Sequence, residues 1–150
     1  MVSRSAVSDF VVQRKLAVVG VSRGGRKFGN AAYRELKAKG YQLFPIHPDA
    51  ETIQGDKCYR TLSTLPEPVD GLLIVVPPAQ TEKVVEEAAA AGIERVWMQQ
   101  GAESPAAIRF CEEHGISAVH GECILMYAEP VGWFHRVHRW WRGLRGTLPR

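Results

Sequence analysis

Short apolar runs rich in β-branched residues alternate with helical patterns between Lys15 and Met98. This alternation is typical of βαβ units, in which helices connect parallel strands and cover the sheet. It predicts a Rossmann-like α/β fold with a doubly wound parallel sheet of about five strands. The predicted strands are residues 16–19, 42–46, 72–76, 95–98 and 117–120.

Between these strands, apolar residues at helical spacing predict helices at residues 31–39, 81–91 and 105–114. Right-handed crossovers and a reversal after the third strand predict the strand order 3-2-1-4-5. In an open α/β sheet, ligands bind at the carboxyl ends of the strands where the order reverses. We therefore expect a binding site in the loops after the first and fourth strands, near Gly20 and Gln99.

The loop after the first strand reads GVSRGG from Gly20, with Ser22 in place of the second glycine of the dinucleotide-binding fingerprint. Backbone N–H groups at such a turn and at the start of the next helix favour a phosphate. Ser22 adds a hydroxyl donor, and Arg23, Arg26 and Lys27 add three positive charges. A glycine-rich turn also occurs for packing reasons alone, but the three cations favour an anionic ligand.

The end of the second strand lacks the acid that accepts hydrogen bonds from the ribose of NAD. Residues 44–48 read FPIHP, and Asp49 comes only after Pro48. A plain NAD-dependent enzyme is therefore disfavoured. A nucleotide-dependent oxidoreductase with an unusual fingerprint remains the alternative.

Several motifs together resemble the CoA-binding family, whose fold also occurs as the CoA-binding domain of succinyl-CoA synthetase and ADP-forming acyl-CoA ligases. The resemblance covers about residues 8–128. Two positions depart from the family: His47 stands where Asn is common, and Gly121-Glu122-Cys123 where many members have Asp-Arg-Cys. The matching motifs are GxS at 20–22, GN at 29–30, GY at 40–41, PIHP at 45–48, VVPP at 75–78 and VWMQQG at 96–101.

The resemblance implies a module that binds coenzyme A or an acyl-CoA. The glycine-rich loop and its basic residues would hold the diphosphate or the 3′-phosphate, the end of the second strand through Pro48 would border the adenosine, and Val76 and Pro77 would line the same crevice. The predicted cofactor-binding residues are Gly20, Val21, Ser22, Arg23, Arg26, Lys27, Asn30, His47, Pro48, Val76, Pro77 and Gln99.

No catalytic or metal-binding constellation is predicted. The related ligases use a phosphorylated histidine on a second domain and a nucleotide-grasp domain, and 150 residues do not accommodate them. Cys58, Cys111 and Cys123 are widely spaced, which favours a reducing, cytoplasmic location, and the histidines lack zinc-ligand spacing. Cys123 is predicted to be a structural thiol, with a mixed disulfide to CoA left open.

Residues 129–150 are predicted to form a basic, aromatic C-terminal helix attached to a domain at residues 1–128. The tail has five arginines and one glutamate, whereas the rest has 14 basic and 15 acidic residues. Its tryptophans share one helical stripe, which favours packing on this domain or on a dimer partner. A membrane-surface scaffold with a structural nucleotide is the alternative, nucleic acid is disfavoured, and a partner enzyme remains open.

Overall fold

The computed structural model describes residues 4–22, 24 and 28–128, which form a parallel sheet covered by helices on both faces. No helix in these ranges is long and apolar enough to cross a membrane. The strands are β1 (Lys15–Val19), β2 (Gln42–Ile46), β3 (Thr52–Ile53), β4 (Asp56–Lys57), β5 (Gly71–Ile74), β6 (Arg95–Gln99) and β7 (Ser117–Glu122). The helices are α1 (Arg4–Val11), α2 (Phe28–Ala38), α3 (Pro78–Ala90) and α4 (Pro105–Glu113).

The main sheet has the order β2-β1-β5-β6-β7, and its paired strands are parallel. The predicted Rossmann-like sheet of five strands is therefore confirmed. The predicted order 3-2-1-4-5 is wrong, because the third long strand, β5, pairs with β1 rather than with β2. Counting only the five strands of this sheet, the order is 2-1-3-4-5, the other common doubly wound arrangement.

The chain after β2 explains the corrected order. The N–H of Tyr59 donates to the carbonyl of Pro45, and the N–H of His47 donates to the carbonyl of Tyr59, both at 2.9 Å. Tyr59 therefore occupies the outer edge of β2, where the next strand was expected. Residues 47–70 contain only the hairpin of β3 and β4 and a short 3-10 turn, and they lead the chain across to the free side of β1.

Prolines and a serine determine where two of the helices begin. Helix α3 starts at Pro78 rather than at the predicted residue 81, because proline fits the first helical turn, where no N–H partner is needed. Ser104 caps α4, its hydroxyl oxygen accepting a hydrogen bond from the N–H of Ala107 at 3.1 Å.

The core lies on both faces of the sheet. Trp97 is completely buried on the face covered by α1, where its ring centroid lies 5.4 Å from that of Phe10. Met98, the next residue on β6, is buried on the opposite face. Helix α1 was not predicted from the sequence, although it supplies Val7, Phe10 and Val11 to this core.

Four predicted features lie outside the described residues. They are the phosphate-binding roles of Arg23, Arg26 and Lys27, and the helix at residues 129–150. The domain division at residue 128 stays a prediction.

Candidate functional site

The crevice is expected between the carboxyl ends of β1 and β5. At this point the strand order reverses, because β2 lies on one side of β1 and the later strands lie on the other. The loops that border it begin at Gly20 and Val75. The site was predicted in the loops near Gly20 and Gln99. Gln99 ends β6, which lies one strand farther from β1 than β5 does, so the loop after β5 takes the place predicted for the loop at Gln99.

Two glycines allow the elements around this crevice to approach closely. Gly20 has a φ of +118°, and a Cβ on it would lie 2.4 Å from the carbonyl oxygen of Val75. A Cβ on Gly29 would lie 2.6 Å from the carbonyl oxygen of Gly20. The end of β1, the end of β5 and the start of α2 are therefore in direct backbone contact, which only glycine permits at these two positions.

The side chain of Asn30, on the first turn of α2, holds the turn after β1 through hydrogen bonds to Ser22. Its Oδ1 accepts hydrogen bonds from the backbone N–H of Ser22 at 3.0 Å and from the Ser22 hydroxyl at 2.9 Å, while its Nδ2 donates to the Ser22 carbonyl at 2.8 Å. Asn30 is completely buried. In this structure both donors of Ser22 are directed to Asn30 rather than toward the crevice.

A cavity of about 250 Å³ opens at the carboxyl ends of β1, β2 and β5. It brings together many of the residues that the sequence pointed to, in the loop after β1, at the end of β2 and after β5. Its lining residues are Val19, Gly20, Val21, Ser22, Ile46, His47, Pro48, Val75, Val76, Pro77 and Gln80.

A second cavity of about 410 Å³ shares Val75, Val76 and Pro77 with the first and extends toward β6. Its other lining residues are Phe28, Gly29, Gln99, Gln100, Gly101 and Ala102. The buried hydroxyl of Thr81 donates to the carbonyl of Ala102 at 2.6 Å and so fixes one of the residues that line this cavity. The two cavities form one crevice divided by the segment after β5.

Gln99 lines the second cavity, but its amide is used inside the protein. Its Nε2 donates to the Sγ of Cys123 at 2.9 Å, and its Oε1 accepts from the N–H of Ile124 at 3.0 Å. Gln99 is therefore well placed to hold the turn after β7, a role that the sequence did not indicate.

His47 forms a local turn at the end of β2. Its Nδ1 accepts hydrogen bonds from the N–H groups of Asp49 at 3.0 Å and of Ala50 at 3.1 Å. An asparagine oxygen makes the same kind of contact in an Asx turn. His47 therefore forms a turn that an asparagine could also form at this position.

Among the described residues that line the two cavities, His47 is the one whose side chain is a histidine, lysine, arginine, cysteine, tyrosine or carboxylate group. No group of three or more His, Cys, Asp or Glu residues in the described ranges is arranged to hold a metal ion.

The three cysteines are free thiols. Burial raises the pKa of the Cys58 thiol, and burial raises the pKa of Cys111 to about 11. Both side chains lie in the core. Cys123 is partly exposed and accepts the hydrogen bond from Gln99.

The fold and the place of this crevice define a Rossmann-like α/β domain. The sequence model of the CoA binding domain matches residues 14–129, and the chain belongs to this family. A conserved hypothetical protein from Pyrococcus furiosus has a similar structure, with a TM-score of 0.72 and 41% sequence identity, over 75% of this chain and 97% of that chain.

Larger enzymes contain similar domains. The chain is 32% identical over 80 residues to the ADP-forming acetate–CoA ligase of Methanocaldococcus jannaschii, covering 53% of this chain and 11% of the ligase. It also resembles an acetyl-coenzyme A synthetase of Ca. Korarchaeum cryptofilum, with a TM-score of 0.62 and 28% identity over 70% of this chain and 25% of the synthetase. The chain thus spans a small part of the length of either enzyme.

Proposed function

We propose that this protein binds coenzyme A or an acyl-CoA in the crevice between the ends of β1 and β5. The position of the start of α2 carries this proposal, because Phe28 and Gly29 line the larger cavity and Gly29 lies directly against Gly20 in the loop after β1. Free N–H groups at a helix start favour a phosphate. The diphosphate would lie at this loop, with Arg23, Arg26 and Lys27 supplying positive charge.

The divided crevice suits an elongated ligand. We place the adenosine in the smaller cavity, beside His47 and Pro48, and the pantetheine arm in the larger cavity, beside Phe28. Val76 and Pro77, in the segment after β5 that lines both cavities, would contact the middle of the ligand. Phe28 supports this orientation because its side chain is half exposed at the second cavity, where an apolar arm would cover it.

The proposed activity is binding without catalysis. The described lining of the crevice offers a single side chain of a kind that serves as a catalytic base, His47, and its Nδ1 already accepts from two backbone N–H groups. A nucleophile paired with a base is the usual requirement for acyl transfer. We therefore propose that a partner enzyme uses the bound CoA. A dimer of this protein, if it forms, would have the same function of binding CoA.

The alternative oxidoreductase is less well supported by the site. The cavity at the end of β2 has no carboxylate among its described lining residues, whereas a ribose-binding acid is expected there for NAD. The three free cysteines are consistent with a reducing compartment, and we propose a cytoplasmic location.

A thermal-shift series with CoA, NAD and NADP at equal concentration tests the proposal. A ligand that binds only the native state stabilises by about 2.7 kcal/mol at a hundredfold excess over its Kd. We expect CoA to raise the Tm most. A larger shift with NAD would favour the oxidoreductase instead.

A further inference from the structure

His47 occupies the position that meets the ribose in nucleotide-binding sheets of this kind. It follows β2 directly, and its N–H donates to the carbonyl of Tyr59 at 2.9 Å, so its backbone is fixed to the edge of the sheet. When a diphosphate lies at the first strand–helix turn, the residue at the end of the second strand contacts the ribose or its phosphate. His47 lines the cavity that is bordered both by the loop after β1 and by the end of β2.

The hydrogen bonds of the imidazole determine what it can recognise. Nδ1 accepts from two backbone N–H groups, so in the neutral ring the proton resides on Nε2. Within the described part of the chain, Nε2 has no hydrogen-bond partner in the protein. His47 therefore offers a donor where an NAD site has an acceptor.

The surroundings of this donor suit an anion. The described lining of the cavity contains no Asp or Glu side chain, and its other polar side chains, Ser22 and Gln80, are uncharged. A donor pairs more strongly with a charged phosphate oxygen than with a neutral hydroxyl. A phosphate in this cavity would thus meet a donor and no carboxylate among the described lining residues.

We propose that His47 is the specificity-determining residue for the 3′-phosphate of coenzyme A, which its Nε2–H recognises. This inference rests on the proposed function and adds a discrimination to it: the protein distinguishes CoA from dephospho-CoA. The turn made by Nδ1 positions the ring, and the opposite nitrogen contacts the ligand.

Calorimetric titration of the full chain with CoA and with dephospho-CoA tests the inference. The wild-type protein should bind CoA about tenfold more tightly, which corresponds to about 1.4 kcal/mol. In His47→Asn the side-chain oxygen keeps the turn, and the amide donor lies nearer the backbone than Nε2 does, so the donor at the position of Nε2 is lost. This variant should bind dephospho-CoA as the wild type does and should lose its preference for CoA.

His47→Ala is the matched variant, because it removes both the turn and the donor, and it should weaken both ligands. Equal wild-type affinities for CoA and dephospho-CoA would overturn the inference while leaving the proposed function intact. So would an Asn variant that keeps the preference or weakens both ligands equally. Failure of the wild type to bind either ligand would refute the proposed function itself.

A measurement on the unmodified protein covers the case in which the variants do not fold. Nitrogen-15 NMR of the imidazole should show the Nε2 signal of His47 shifting with CoA and not with dephospho-CoA. The same shift with both ligands would contradict recognition of the 3′-phosphate.

Discussion

Asn30 and Ser22 are joined by three hydrogen bonds that involve the backbone N–H, the hydroxyl and the carbonyl of Ser22. Because Asn30 is completely buried, these bonds are shielded from water. The pair fixes the loop after β1 before any ligand is bound. Asn30 thus acts on the proposed site by positioning the loop.

Asn30→Ala should destabilise the protein by roughly 3 kcal/mol, since it breaks three hydrogen bonds and leaves backbone groups of Ser22 unpaired. It should also weaken CoA binding. Ser22→Ala is the matched control, because it removes one of the three bonds and should cost about 1 kcal/mol. Urea unfolding and calorimetry of both variants measure the difference. A Ser22 variant that weakens CoA more than the Asn30 variant would show direct contact of the hydroxyl with the ligand.

Gly20→Ala should destabilise the fold by about 3 kcal/mol, because it combines an unfavourable φ with a contact at 2.4 Å to the Val75 carbonyl. Gly24 lies in the same loop, and a Cβ there meets no atom within 4 Å. Gly24→Ala should change the free energy of unfolding by less than about 0.5 kcal/mol. Thermal unfolding of the two variants provides the comparison, and similar melting temperatures would contradict the described backbone contact.

The sequence predicts the strands and the kind of sheet well, because a buried parallel strand leaves a continuous apolar run in the sequence. It does not predict the order. That order depends on Tyr59 pairing with the edge of β2, an isolated contact within a segment that has no periodic pattern. Helix α1 is not predicted because its eight residues are too few for a helical period to be recognised.

The same distinction applies to the site. Gly20, His47 and Pro48 could be predicted to lie together, because they follow adjacent strands. The partners of Asn30 and Gln99 could not, because each amide bonds to a residue that only the folded chain brings near. The GN motif at residues 29–30 gave a signal for Asn30 but did not identify Ser22 as its partner.

The cysteines should react in the order of their exposure. Because burial raises the pKa of Cys111 to about 11, only about one thiol in a thousand is ionised there at pH 8. The pKa of Cys58 is also raised by burial. Cys123 is the partly exposed thiol, so it should be alkylated first. Mass spectrometry of peptides after brief iodoacetamide treatment of the native protein tests this order. Early labelling of Cys111 would contradict its burial.

The basic residues of the loop after β1 should contribute to binding through charge. The double variant Arg26→Ala with Lys27→Ala should weaken CoA more than Ser22→Ala does, because charge-assisted hydrogen bonds are stronger than neutral ones and the Ser22 hydroxyl donates to Asn30. The loss should shrink at high salt. Lys83→Ala, on the exposed face of α3, is a control of like charge and should leave the affinity unchanged. If calorimetry finds the same CoA affinity for the double variant and the wild type, these two charges do not contact the ligand.

The central claim is that this protein binds coenzyme A in the crevice between β1 and β5. Its most direct test is a calorimetric titration of the full chain with CoA, followed by a titration with NAD under the same conditions. We predict saturable binding of one CoA per chain, with NAD binding at least tenfold more weakly. No heat of binding from CoA at millimolar concentration, or tighter binding of NAD, would contradict the account.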